Sequence, residues 1–172
     1  MSCFIALLRA VNVGGTGKLS MSDLKAMCEQ AGFTGVRTYI ASGNVVLHGD
    51  VSAAEVKIRL EASLKTYAGK PVGVLVRTAT EMTEILRENP FAQHPGNRTV
   101  AIFLDDKPPR DALDRLSGRN DEEASLGRRE IYVFFPSGMG RSKLKIPAAR
   151  DGTARNVNTI TRLAEMASAD SG

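Results

Sequence analysis

Three stretches of this sequence carry residue types suited to holding a negatively charged group. The first is NVGGTGKLS, residues 12–20. A P-loop needs Gly, four free positions and then Gly-Lys-Ser/Thr, so that backbone N–H groups, the lysine and a hydroxyl each hold part of a magnesium nucleotide. Gly17 and Lys18 fit, but Asn12 stands at the first glycine and Leu19 at the hydroxyl. What remains is a Gly-rich turn whose N–H groups can converge on an anion, with Lys18 adding charge. The commoner role of such glycines is to connect a strand to a helix. The second stretch is PSGMGRSKLK, residues 136–145, where Ser142 is placed to cap a short helix among Arg141, Lys143 and Lys145. A helix start offers unpaired N–H groups and partial positive charge, both favourable to phosphate or carboxylate. A solvated basic turn is the equal alternative. The third is DGTARNVNTITR, residues 151–162, in which Arg155, Asn158, Thr159 and Arg162 fall at i, i+3, i+4 and i+7. On a helix these share one face. From 137 to 164 there are six Lys/Arg and one Asp, a local +5 against +4 for the whole chain. Concentrated basic charge is the footprint expected of an anion site.

Other chemistry is poorly supplied. The two histidines are His48, at the end of a strand, and His94, in the loop NPFAQHPGN. No G-x-S-x-G elbow is present, and Ser137 lacks the first glycine of one. AIFLDD, ending in Asp105 and Asp106, has the form of a Walker B strand but no Walker A to serve, so it reads as a strand end and a turn. Asp121, Glu122 and Glu123 read as a solvated turn. Cys3 and Cys28 have no metal-type spacing, so neither a metal nor a cofactor is expected. Cys28 falls on an apolar helix stripe, which predicts a buried free thiol and a reducing, cytoplasmic setting. REIYVFF lacks the glycines of an RNA-stacking strand, so Tyr132, Phe134 and Phe135 are expected to pack in a core.

The chain has 172 residues, of which 42% are hydrophobic and 24% charged, with a pI near 9.3. These values are ordinary for a globular protein and permit an anionic partner without requiring one. The apolar run from Cys3 to Leu8 is too short for a signal core and has no basic leader. No stretch approaches the roughly 20 apolar residues of a membrane helix, so no membrane partner is expected.

The elements that must position the polar groups follow from periodicity. Residues 3–10 read as a buried strand. Ser20 or Ser22 caps a helix with the stripe Leu24, Met27, Cys28 and Ala31. VRTYI and NVVLH are strands about the turn ASGN. Ser52 and Glu55 form a capping box for a helix striped by Val56, Leu60 and Leu64, and PVGVLVR is a strand. This order, βαββαβ, is the ferredoxin-like plan. Thr78 and Glu81 open another helix, with the stripe Met82, Ile85 and Leu86, which Pro90 ends. RTVAIFL is a strand, Pro109 begins a short helix carrying Leu113 and Leu116, and EASLG and EIYVFFP are strands. A last helix near 154–168 carries Ile160, Leu163, Ala164 and Ala167. From residue 98 the order is βαββα, the first plan with its last strand missing, and no repeat between the halves is visible in the sequence. The expectation is an α+β protein of two ferredoxin-like halves, residues 1–77 and 78–172, packed as one unit.

ALLRAVNVGG, MSDLKAMCEQAGF, VRTYIASGNVV, NPF, SGMGRSKL and TARNVNT occur in that order. Together they resemble the family called domain of unknown function 1697, from about residue 3 to 165. The resemblance implies two ferredoxin-like halves and no established activity. It places the family's polar positions on Arg9, Asn12, Gly14, Gly15, Ser42, Gly43, Asn44, Ser142, Lys143, Thr153, Arg155, Asn156, Asn158 and Thr159. Val157 replaces the usual tryptophan and Ala10 a common glycine.

The function expected from these residues is binding of a phosphate-bearing or anionic ligand, a nucleotide or nucleic acid among them. Arg9, Asn12, Gly14 and Gly15 would form one wall of a basic cleft, with Ser142, Lys143, Arg155 and Asn158 forming the other. Ser42, Asn44 and Asn156 complete the candidate set. Arginine would grip oxygen pairs and asparagine would read a neutral edge. The alternatives are an enzyme acting on a small phosphorylated or nucleotide substrate, and an assembly protein in which the polar motifs only fix loops and caps.

Overall fold

The structure is a computed structural model and describes residues 1–9, 19–39 and 43–170. The chain divides into two units, residues 1–82 with 163–172, and residues 83–162. The expected boundary, between 77 and 78, falls inside this first unit, which also takes back the end of the last helix.

The first unit is built on strands β1 (Ser2–Leu8), β2 (Thr34–Tyr39), β3 (Asn44–Gly49) and β4 (Val74–Thr78). All pairings are antiparallel and the order is β2-β3-β1-β4. Helices α1 (Met21–Gln30) and α2 (Ala53–Ala68) connect β1 to β2 and β3 to β4. Ser20 accepts from the Asp23 N–H and Ser52 from the Glu55 N–H, which satisfies donors at each helix start. Leu24, Met27 and Cys28 of α1 and Val56, Leu60 and Leu64 of α2 are buried with Phe4, Ala6, Leu8, Val45, Leu47, Val74 and Val76. The helical stripe and the alternate residues of the strands thus close one face of the sheet. Cys28 is a free thiol, and burial, then the neighbouring Glu29, pushes its pKa up to about 12.

The second unit repeats the sheet. Strands β5 (Thr99–Phe103), β6 (Glu123–Leu126), β7 (Glu130–Phe134) and β8 (Thr153–Asn156) pair antiparallel in the order β6-β7-β5-β8. The strand expected to be missing is therefore present. It lies where the last helix was expected to start, because Thr153 and Arg155 alternate with Ala154 as buried and exposed, a period of two rather than 3.6. Helix α4 (Val157–Asp170) begins only after it. The two connections that hold helices in the first unit hold 3-10 segments here, Ala112–Arg115 and Pro147–Ala149. Val100, Leu104, Ile131 and Val133 are covered by Leu113, Leu144, Ile146 and Ala148 from these irregular connections. Tyr132 and Phe134 are buried as expected. The Tyr132 hydroxyl donates to the Ile85 carbonyl at 2.8 Å. Ile85 belongs to α3 (Ala79–Arg87).

Candidate functional site

The polar groups of the second unit converge where β6 begins and β7 ends, since Glu123 pairs with Phe134. The chain entering β6 and the chain leaving β7 run side by side. Ser117 and Lys145 exchange both backbone hydrogen bonds, at 2.9 and 2.8 Å. Gly118, at φ +71°, lies so close beneath the Lys143 carbonyl that a Cβ would stand 2.0 Å from its oxygen. Only glycine fits that position. Between the two segments lies a cavity of about 500 Å³ lined by Gly118, Asn120, Asp121, Glu122, Ser137, Gly138, Arg141, Ser142 and Lys143.

Its electrostatics are asymmetric. Glu122 is 3% exposed, and a buried carboxylate requires partners. The Ser142 hydroxyl donates to one of its oxygens and the Asn120 N–H donates to the other at 2.6 Å. These donors, the Ser142 hydroxyl foremost, hold its pKa below the ordinary glutamate range. Glu122 is thus a fixed anion at neutral pH, poorly suited to carry a proton in catalysis. Asp121 accepts from the Ser137 hydroxyl. Both acids are held by neutral donors, while Arg141 and Lys143 are exposed and form no ion pair with another described residue. Arg119 adds a third positive charge nearby, its Nε donating to the Glu122 carbonyl at 2.7 Å.

The residues expected to act together are distributed as follows. Ser142 and Lys143 share the cavity. Ser142 does not cap a helix, for there is none at 137–146. Its hydroxyl instead accepts from the Leu144 N–H, two residues on, at 3.2 Å, a local turn that competes with helix formation. Arg155 is not on a helix face with Asn158, Thr159 and Arg162. It lies on β8, 7% exposed, with one guanidinium nitrogen donating to the Thr153 hydroxyl at 2.6 Å and the Ala154 carbonyl at 2.9 Å. Burial lowers its pKa to about 10, which leaves it charged at neutral pH. Asn156 caps α4 by accepting from the Thr159 N–H at 2.8 Å. Asn158 is exposed and its amide oxygen fills the space a Cβ on Gly96 would take. Neither Arg155 nor Asn158 lines the cavity.

In the first unit, the Arg9 side chain lies over Gly73 and the Arg9 backbone N–H donates to the Gly73 carbonyl at 2.9 Å. Asn44, at the start of β3, is fully buried and its amide donates to the carbonyl of Tyr39, at the end of β2, at 2.9 Å. Asn12, Gly14, Gly15 and Ser42 lie outside the described residues.

A profile described as a protein of unknown function, DUF1697, matches residues 1–132. The chain belongs to this DUF1697 family. Among solved structures, it is similar to the conserved bacterial protein SP0830 from Streptococcus pneumoniae. The two are 22% identical, with a TM-score of 0.80 over 96% of this chain and 98% of that one. At that identity the likeness shows the shared fold. No curated protein matches the chain. The profile ends at Tyr132, so in this DUF1697 chain it includes the 118–122 side of the cavity and stops before the 137–143 side.

Sequence reasoning missed Glu122, which it placed in a solvated turn with Asp121 and Glu123. Those two are exposed, but Glu122 is not. The sequence offers no local signal for this, because Ser142 reaches Glu122 across 20 positions. It also missed a repeat. Arg77 on β4 pairs with Ile5, and Arg155 on β8 pairs with Ala101, at the same place in the two sheets. Each guanidinium donates to the carbonyl of the residue before it, Val76 or Ala154, at 2.9 Å. Each arginine is followed by a capping residue, Thr78 or Asn156, that accepts from the N–H three positions on. The His48 and His94 side chains lie elsewhere. His94 stacks on Phe134 with ring centroids 3.8 Å apart, and His48 packs against Gly35. Among the described residues, no cluster of three or more His, Cys, Asp or Glu side chains suits a metal. No helix among them is long and apolar enough to cross a membrane.

Proposed function

We propose that this chain binds a phosphate-bearing or otherwise anionic ligand in the cytoplasm, at the cavity between residues 118–122 and 137–143 of the second unit. One observation carries the reading. Arg141 and Lys143 stand exposed at this cavity outside any ion pair with the described residues, while the two acids are already held by serine hydroxyls. An arriving phosphate therefore meets cations that give up no partner to bind it. A catalytic role has less support. Glu122 is locked as an anion, and neither histidine lines the cavity.

Thermal denaturation of the full chain with inorganic phosphate, pyrophosphate, nucleotides and short oligonucleotides tests the reading. A ligand bound only by the folded state raises the melting temperature. Phosphate compounds should raise it, and Arg141→Ala with Lys143→Ala should abolish the rise. The absence of any rise, or one unchanged in the double variant, would remove the proposal. Binding of nucleic acid would also fall steeply with salt.

A further inference from the structure

The same cavity says more about what its ligand must look like. Its nine lining residues are Asp, Glu, Asn, Ser, Arg, Lys and Gly, and none has an aromatic or branched aliphatic side chain. A nucleobase gains much of its affinity by stacking on aromatic rings, and no ring lines this cavity. It does supply two carboxylates beside two cations. An ionised carboxylate is an acceptor with about four lone-pair sites. Each Glu122 oxygen takes one protein donor, and Asp121 takes the Ser137 hydroxyl, so both retain capacity for further O–H groups. A phosphodiester backbone approaching the same acids presents acceptors and negative charge, which they repel. The volume of about 500 Å³ lies within the ~300–1,000 Å³ range of small-molecule sites.

Accepting the anion-binding reading above, we infer that the ligand is a small phosphorylated sugar or polyol. Its phosphate lies against Arg141 and Lys143, and its hydroxyls donate to Asp121 and Glu122. The acids set the selectivity, since a phosphate compound without hydroxyls meets their charge and gains nothing from their lone pairs.

Calorimetric titration of the full chain at low salt tests this with ribose 5-phosphate, glucose 6-phosphate, n-butyl phosphate, inorganic phosphate, adenosine 5′-monophosphate and a short DNA strand. A sugar phosphate should bind at least tenfold more tightly than n-butyl phosphate. Adenosine 5′-monophosphate should gain no more than about twofold over ribose 5-phosphate, since its base has no ring to stack on. Asp121→Asn, at an exposed position, should weaken the sugar phosphates at least fivefold and leave inorganic phosphate equal or tighter. Equal affinity for butyl and sugar phosphates would overturn the polyol inference and leave the anion reading standing. So would an Asp121→Asn loss common to every phosphate compound, or a tenfold preference for the nucleotide or the DNA. No binding by any phosphate compound would overturn both.

Discussion

In the first unit, β1 is joined to β2 through a 10-residue helix and β3 to β4 through a 16-residue one. In the second, the corresponding connections hold 3-10 segments of 4 and 3 residues. The strand order is the same in both, and so is the junction from the last strand into the following helix, with its buried arginine and capping side chain. The difference lies in the cover over one sheet face. A helix satisfies its own backbone and presents an apolar stripe, so α1 and α2 leave few polar groups to place. The irregular connections of the second unit must find partners for theirs. Ser137, Ser142, Asn120 and Arg119 provide some of them around Glu122 and Asp121. The polar cavity follows from replacing helices with looped chain on an unchanged sheet.

The largest test of that contrast is core truncation. Leu60→Ala removes a side chain 1% exposed beneath α2 and should cost about 2–5 kcal/mol. Leu113→Ala, under the looped cover and only half-buried, should cost roughly 1 kcal/mol. Urea unfolding of the full chain measures both, and equal costs would mean that the looped cover packs as tightly as the helical one. The shared junction makes the opposite prediction. Arg77→Ala and Arg155→Ala should be alike, each losing about 2–3 kcal/mol, because each leaves a void and removes a charge-assisted bond to the preceding carbonyl.

Two glycines sharpen the comparison at smaller scale. Gly69, which ends α2, has φ +72° and open space around it, so Gly69→Ala should cost about 1 kcal/mol for the left-handed conformation alone. Gly118→Ala adds the collision with the Lys143 carbonyl. It should cost at least about 2 kcal/mol and separate the two walls of the cavity. Thermal melts rank the pair. Smaller still are the caps, where Thr78→Ala and Asn156→Ala should each cost roughly 1 kcal/mol.

The pH dependence of Glu122 follows from the sign of its shift. Its folded pKa is depressed by the Ser142 hydroxyl and the Asn120 N–H. Its contribution to stability is therefore complete above the unfolded value of about 4.3 and lost as pH falls through the lower folded value. Urea midpoints of the wild type and Glu122→Gln should differ at pH 7 and converge below about pH 4. A gap that persists at low pH would show that the charge of Glu122 is not what holds the two segments together.

Much of the fold is legible in the residues themselves. Ser20, Ser52 and Thr78 cap the helices that their spacing predicts, and the stripes of α1 and α2 are buried as their period requires. Local signals suffice there because a cap and a stripe are settled within four residues of themselves. Residues 153–162 misled the periodicity argument. Arg155, Asn158, Thr159 and Arg162 keep a helical spacing by coincidence, while pairing with β5 claims Arg155 for a strand. The repeat of Arg77 and Arg155 was likewise hidden, since two matching residues in a short stretch become a pattern only when both strands are seen at the same edge of their sheets.

By itself, the sequence determined the family, the alternation of strands and helices through residue 90, and the excess of positive charge toward its end. The tertiary structure alone decided which polar groups share a cavity. Glu122 and Ser142 meet because two loops leave adjacent strands at the same end of a sheet. Strand pairing at long sequence separation leaves no periodic mark on either loop. It also withdrew Arg155 from the candidate helix face into a strand, because the sheet edge beside β5 required a partner.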